Sequence, residues 1–358
     1  MDTQTLRSTI FDHLERSLSE KAWTIFNFAW SNSDRLLRSI EEISKLVLDE
    51  HGVDSNNVCI GVVGSIGRHE GLYTSDVDLL PIWGGASSAF SDFAIVMENL
   101  REKVRHELSI DVSTSRDLMR STQVSELCEA ESIGGDTDDR RRLTQRILLL
   151  TESSQAGGHL SLNTVRRKIL EAYVGDEVSQ RTASRHPMSV SNDIARYYRT
   201  VCMDYKSRAE TRPENWCLRV CKLRGQRKFW YLATLFSISQ AFEDSSELNH
   251  SQKIDLLAKV FEFPPMLRLC MAASDAEIVA IIECYIAYIS ELGEEDVRHA
   301  LNLVIFDQRF EDLLPDGVTQ NPFPSLYQQS KRLHEKMLEA LVLAEPSIRK
   351  RALDWFLL

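Results

Sequence analysis

Apolar residues recur at three- and four-residue steps through residues 4–50, the spacing of one face of an amphipathic helix. Leu36, Leu37, Ile40, Ile43, Leu46 and Val47 form that stripe, with Ser33 or Asp34 available to cap it and His51-Gly52 to close it. This helix is expected to pack in front of a sheet. The period then changes from helical to extended. Val58–Val63 is a continuous β-prone run, Gly64-Ser65 opens a short polar turn, and Leu79–Trp83 is a second apolar run. After a turn over residues 84–88, Phe93, Val96, Met97, Leu100 and Val104 restore helical spacing over residues 90–108. Residues 108–113, Leu-Ser-Ile-Asp-Val-Ser, alternate apolar and polar, which predicts a strand with Asp111 on one face.

Arg140-Arg141-Arg142 leads into an apolar helix, Leu143–Leu150, and Gln155-Ala156-Gly157-Gly158 reads as a seam between domains. From Leu160 onward the pattern is helical almost throughout. Breaks fall at Phe263-Pro264-Pro265 and at Pro322–Pro324, a largely buried helix at Glu277–Ile289 and a last long helix at Lys331–Ala344. The apolar tail Trp355–Leu358 is expected to pack or to meet a partner. These patterns predict an α+β protein in three parts. A helical segment, residues 1–51, packs on a small mixed β-sheet domain, residues 52–152, and an α-helical domain follows over residues 158–358.

Candidate chemistry concentrates between Val58 and Trp83. Side chains alternate faces along a strand, so Asp76 and Asp78, two apart at the head of the second run, present both carboxylates to one spot. Carboxylates that close raise each other's pKa unless a cation lies between them, and hard oxygen donors select Mg2+ or Mn2+. Gly64 lets backbone approach an anion with no Cβ in the way, Ser65 adds a hydroxyl, and Arg68 supplies a planar cation nearby. Read singly, Gly-Ser before a turn and Asp at a strand start are ordinary turn residues. The ordered array of both predicts a site for a phosphate and a metal.

Gly64-Ser65, Gly67-Arg68-x-Glu70 and Ser75-Asp76-Val77-Asp78-Leu79-Leu80 together resemble the nucleotidyltransferase superfamily with the DNA polymerase β-type fold. Within it they look most like the branch of the bacterial PII signal-protein uridylyltransferases and their uncharacterised relatives. The close likeness runs from Gly64 to Trp83, and a looser one passes through Ile133-Gly134-Gly135, Leu143–Leu150 and Asn192–Trp230. The resemblance implies transfer of a nucleoside monophosphate from an NTP to a protein or RNA acceptor, with two divalent ions and release of pyrophosphate. Asp76 and Asp78 would then hold both metals, Gly64 and Ser65 the β- and γ-phosphates, and Arg68 the departing pyrophosphate. It also implies a third carboxylate from a neighbouring strand, for which Asp111 is the candidate and Asp136 and Asp138 the reserves. A toxin–antitoxin or signalling partner is one implied setting. The alternatives are a cyclic or linear oligonucleotide synthase of the same fold and a non-catalytic nucleotide-binding regulator.

Charge changes the picture in one region. The 358-residue chain carries a net charge of −11, which argues against general binding to nucleic acid or membrane. Yet Arg181–Tyr231 holds twelve Lys and Arg against four Asp and Glu, an excess of eight, and such a local reversal marks a polyanion site. Arg196 and Arg199 fall at helical spacing with Asp193, Tyr197 and Thr200, while Arg224, Arg227 and Lys228 precede Phe229-Trp230-Tyr231 on a long helix. Arg196, Arg199, Arg224 and Arg227 are expected to contact triphosphate or acceptor, and the aromatic run to be core. Seven scattered cysteines, with Cys217 and Cys221 lacking the partners of a zinc site, predict reduced thiols. No charged start leads into an apolar h-region and no apolar run reaches 18 residues, so the expected protein is cytoplasmic and does not span a membrane. The Arg-x4-His spacings at Arg101–His106 and Arg181–His186 arise readily by chance and carry no expectation.

Overall fold

The computed structural model describes residues 3–112, 120–129, 133, 139–174, 188–211, 214–241, 248–272, 275–309, 314–346 and 349–350. Expectations for Asp136, Asp138, Gly134, Gly135, Arg181, His186 and Trp355–Leu358 lie outside them. The described chain is mixed α+β, mostly helix with one four-stranded mixed sheet. It divides into two units interleaved in sequence. One comprises Phe28–Asp193 and Ala241–Pro264 and carries the sheet; the other comprises Met1–Asn27, Ile194–Gln240 and Pro265–Leu358, and its regular elements among the described residues are helices.

In chain order the helices are α1 (Thr3–Ser17), α2 (Glu20–Glu50), the single turn α3 (Gly64–Gly67), α4 (Phe90–Leu108), α5 (Val124–Leu127), α6 (Arg140–Thr151) and α7 (Leu162–Val174). Then come α8 (Met188–Thr211), α9 (Trp216–Lys222), α10 (Lys228–Ala241), α11 (His250–Phe261), α12 (Pro265–Ala272), α13 (Asp275–Gly293), α14 (Glu295–Leu303) and α15 (Phe323–Leu343). The strands β1 (Val58–Val63), β2 (Asp78–Trp83), β3 (Thr122–Gln123) and β4 (Ser154–Gln155) lie in the order β3-β2-β1-β4.

β1 runs antiparallel to β2 over its full length, with Val58 opposite Trp83 and Val63 opposite Asp78, and antiparallel to β4 on its other side. Every residue of β1 is buried, which is why it reads as an unbroken apolar run and not an alternating one. Pro81 is tolerated inside β2 because the short parallel β3 pairs only with Ile82 and Trp83. The core of this unit joins Leu36, Ile40, Ile43 and Val47 of α2 to Val58, Ile60, Val62 and Leu79 of the sheet and to Phe93, Met97 and Leu100 of α4.

Several expectations need correction. Leu46, placed on the buried stripe of α2, is 55% exposed, whereas the other five stripe residues are buried. Ser33 and Asp34 lie well inside α2 and cap nothing. Leu108, expected to open a strand, is the last residue of α4. Ser109 ends that helix in the left-handed conformation, and among the described residues up to Val112 the extended pairing is one parallel bridge, at Val112. Residues at the expected seam are tied to β1, with Ala156 N–H donating to Ile60 O (2.8 Å) and Ile60 N–H to Gly157 O (2.9 Å). The unit continues through Asp193. Pro324 stands in the first turn of α15, where a missing N–H costs nothing, so the proline pair begins that helix earlier than expected.

In the helical unit the aromatic run behaves as core. Phe229 stacks face to face on Tyr285 (3.8 Å between centroids, 5° between planes), and Trp230 meets Tyr197 edge-on (5.6 Å, 88°). All seven cysteines are free thiols. No helix of the described residues is long and apolar enough to cross a membrane.

Candidate functional site

At the end of β1 the chain makes an abrupt change of direction. Gly64 adopts φ +75°, a conformation that costs an L-residue about 1–2 kcal/mol, and then begins the single turn α3. A Cβ on Gly64 would lie 2.7 Å from Asp78 Oδ2, so the carboxylate at the head of β2 packs directly on the bare α-carbon. That contact follows from the register, in which Val63 and Asp78 are paired across the antiparallel ladder. Ser65 is half-buried beside it.

Asp76 and Asp78 flank Val77, which forms a parallel bridge with Val112 and donates its N–H to Asp111 O (2.8 Å). Bridged residues share a face, and both Val77 and Val112 point into the core. Asp76, Asp78 and Asp111, each one step from a bridged valine, therefore project to the opposite face. There Asp76 and Asp78 are half-buried and Asp111 is exposed. In this register Asp111 is the lateral neighbour of Asp76, on backbones about 4.8 Å apart. Among the described residues no three His, Cys, Asp or Glu side chains converge into a metal-holding group.

Arg68 departs from its expected place at the phosphates. It is only 3% exposed, donates through Nε to Glu70 Oε2 (2.9 Å), and pairs through its Nη1 with Glu152. Both carboxylates are buried as well. Two negative charges brought out of water need this cation, so the guanidinium serves the loop's own structure.

The loop from Arg68 to Ser75 is fastened to α2 by residues that periodicity alone assigns to packing. Ser33 Oγ accepts from Gly71 N–H (3.0 Å) and donates to Ala29 O (2.8 Å), and Asn32 Nδ2 donates to Gly71 O (3.0 Å). His69, itself at φ +57°, stacks on Trp30 (4.1 Å, 21°) with Nδ1 3.3 Å from Asp34 and Nε2 3.2 Å from Ser154 Oγ. Ser75 closes the loop, accepting from Leu72 N–H at Oγ and donating its N–H to Leu72 O, both at 3.0 Å. One sequence signal for this clamp existed: Ser33 interrupts an otherwise apolar stripe of Ala29, Trp30, Leu36, Leu37 and Ile40, and is fully buried there.

The four arginines expected at the substrate lie in the helical unit. Arg199 is exposed and Arg196 half-buried on α8. Arg224 and Arg227 belong to a five-residue π-helical turn, Leu223–Arg227, that joins α9 to α10. Asp193, read beside them, is instead buried in the sheet unit, where it accepts from Tyr173 Oη (2.7 Å) and faces Arg146 (3.9 Å). Burial, more than any neighbour, pushes the Tyr173 hydroxyl well above the ordinary tyrosine range.

No protein-family model matches this chain, and no curated protein matches its sequence.

Proposed function

We propose that this protein is a metal-dependent nucleotidyltransferase that moves a nucleoside monophosphate from an NTP to a protein or RNA acceptor. The observation that supports this reading is the rest of Asp78 on the bare α-carbon of Gly64, with the Val77–Val112 bridge making Asp111 the register neighbour of Asp76. Carboxylate oxygens are hard donors and suit Mg2+ or Mn2+ better than softer ions. Asp76 and Asp78 would hold the ions, which when bound would neutralise phosphate charge and make the acceptor hydroxyl more acidic. Asp111, at the edge of the same face, would orient that hydroxyl for in-line attack on the α-phosphate. Ser65 and the backbone at Gly64 would meet the phosphates beyond it. Arg196, Arg199, Arg224 and Arg227 remain the proposed contacts to nucleotide or acceptor.

Incubation with α-labelled NTPs and Mg2+ tests the proposal. Label on a macromolecule is expected; label in a small product would favour an oligonucleotide synthase, and binding without turnover a regulator. Asp76→Ala and Asp78→Ala should each abolish transfer while thermal stability without metal holds level or rises, since each relieves carboxylate repulsion. Asp111→Asn should lower turnover by orders of magnitude with little change in nucleotide affinity. Full activity in both single alanine variants would end the metal-site reading.

A further inference from the structure

Lys228 is a half-buried cation with no carboxylate partner among the described residues. It sits four residues after Arg224, at the spacing of neighbours on a helix, and neither side chain forms an ion pair within the described residues. The π-helical turn that holds Arg224 and ends just before Lys228 is closely packed, because a Cβ on Gly225 would lie 2.0 Å from the Tyr288 ring and the Tyr288 hydroxyl donates to Cys221 O (2.7 Å). Arg224 is held in place by α15. Its guanidinium lies over the Tyr327 ring (4.2 Å) and its Nε donates to Ser330 Oγ (3.0 Å), while its terminal nitrogens make no hydrogen bond within the described residues. The fork is thus oriented, and its outer edge is left open.

His334, on α15, belongs to the same field. Burial lowers the pKa of Lys228 first, and the charge of Arg224 lowers it further; His334 is lowered by burial, then by Lys228 and Arg224, with Glu335 opposing. Tyr198 and Tyr231 stack in parallel near this cluster (4.6 Å, 11°), Tyr198 within the field of Arg224 and Tyr231 within that of Arg199. Two cations kept together with no ion-paired carboxylate among the described residues, one of them pre-oriented, destabilise the chain unless an anion is bound.

We infer that Arg224, Lys228 and His334 form an anion site on the helical unit for a phosphate group of charge two or more, with the Tyr198–Tyr231 pair at its margin. A dianionic phosphate offers the fork of Arg224 two oxygens and the ammonium of Lys228 a third, a match that carboxylates cannot make. The inference deepens the proposed role of Arg224 as a contact to nucleotide or acceptor, and it is tested apart from nucleotidyl transfer because it requires neither the aspartates nor a metal. Its phosphate has two sources: a free inorganic polyphosphate, or the phosphates of a nucleotide.

The test is calorimetric titration of the full chain with tripolyphosphate and, separately, with ATP, both in EDTA so that divalent ions play no part. Binding of tripolyphosphate is expected, weakened by about tenfold or more in Lys228→Gln and in Arg224→Gln and less in Arg224→Lys. Equal affinity for the two titrants would assign recognition to phosphate alone, and tighter ATP binding to a nucleotide. Lys228→Gln should also raise the melting temperature without ligand, which guards against mistaking misfolding for lost binding. Asp76→Ala should bind tripolyphosphate normally, so a failed transfer reaction and a failed anion site remain distinguishable. No binding of either titrant, or binding unaltered in Lys228→Gln, overturns the inference.

Discussion

At the scale of single residues, the informative group is Arg68. A guanidinium three residues past a Gly-Ser turn looks like a phosphate ligand in sequence, yet here it neutralises Glu70 and Glu152 in a site with almost no solvent. Removing one partner of a buried ion network leaves uncompensated charge behind. Arg68→Met should therefore cost about 3–5 kcal/mol of folding stability, measured by urea unfolding, while adding Glu152→Gln to it should recover part of the loss. Were Arg68→Met as stable as the wild type but defective in nucleotide binding, the residue would belong with the phosphates after all. Gly64 is the opposite case. Its φ of +75° and the nearness of Asp78 Oδ2 each call for glycine, a reason different from the approach of a phosphate that the sequence suggested.

At the scale of elements, helix α15 carries a group whose proton is weakly held. Burial and the cations Lys228 and Arg224 together depress His334 below its ordinary 6.5, against the smaller pull of Glu335. The unfolded chain therefore binds the proton more tightly than the folded one. Above 6.5 both states are neutral and His334 contributes no penalty; as pH falls through the window below 6.5 the unfolded state gains protons first and stability drops. His334→Gln should remove that component. Unfolding midpoints of the two proteins, compared from neutral to acidic pH, should converge at neutral pH and diverge in favour of the variant as pH falls. A constant difference between them would mean that the imidazole is not in the field of these cations.

At the scale of the whole molecule, each unit is assembled from distant segments of the chain. Within the sheet unit, helix α11 pairs with α7 through Arg167, which bonds Asp255 and Ser251. Asp193 closes the same unit by accepting from Tyr173, whose hydroxyl in turn accepts from Arg146 Nε (3.2 Å). Asp193→Ala would leave the Arg146 guanidinium, which is fully buried, without that carboxylate, at a cost of about 3–5 kcal/mol. Hydrogen exchange should then accelerate across α6 and α7. Unchanged protection in those helices would show that the Tyr173–Asp193 contact contributes nothing to holding them.

What the sequence by itself determined is local. β1 and α4 begin and end where their periodicity does, and β2 starts one residue earlier, at Asp78. Their limits are set by apolar spacing and by Gly and Asp punctuation, which act over a few residues. The proximity of Gly64 to Asp78 was legible for the same reason, because two β-prone runs joined by a short loop readily pair as neighbours. Asp111 was legible as a residue beside an extended pairing, which among the described residues is the bridge at Val112. Tertiary structure alone decided the partners of Arg68, the clamp of Ser33 on Gly71, the return of Ala241–Pro264 to the sheet unit and the lack of an ion pair at Lys228 among the described residues. Glu152 lies 84 residues from Arg68. Whether a buried charge finds a counter-charge depends on distance in space, and no spacing along the chain records it.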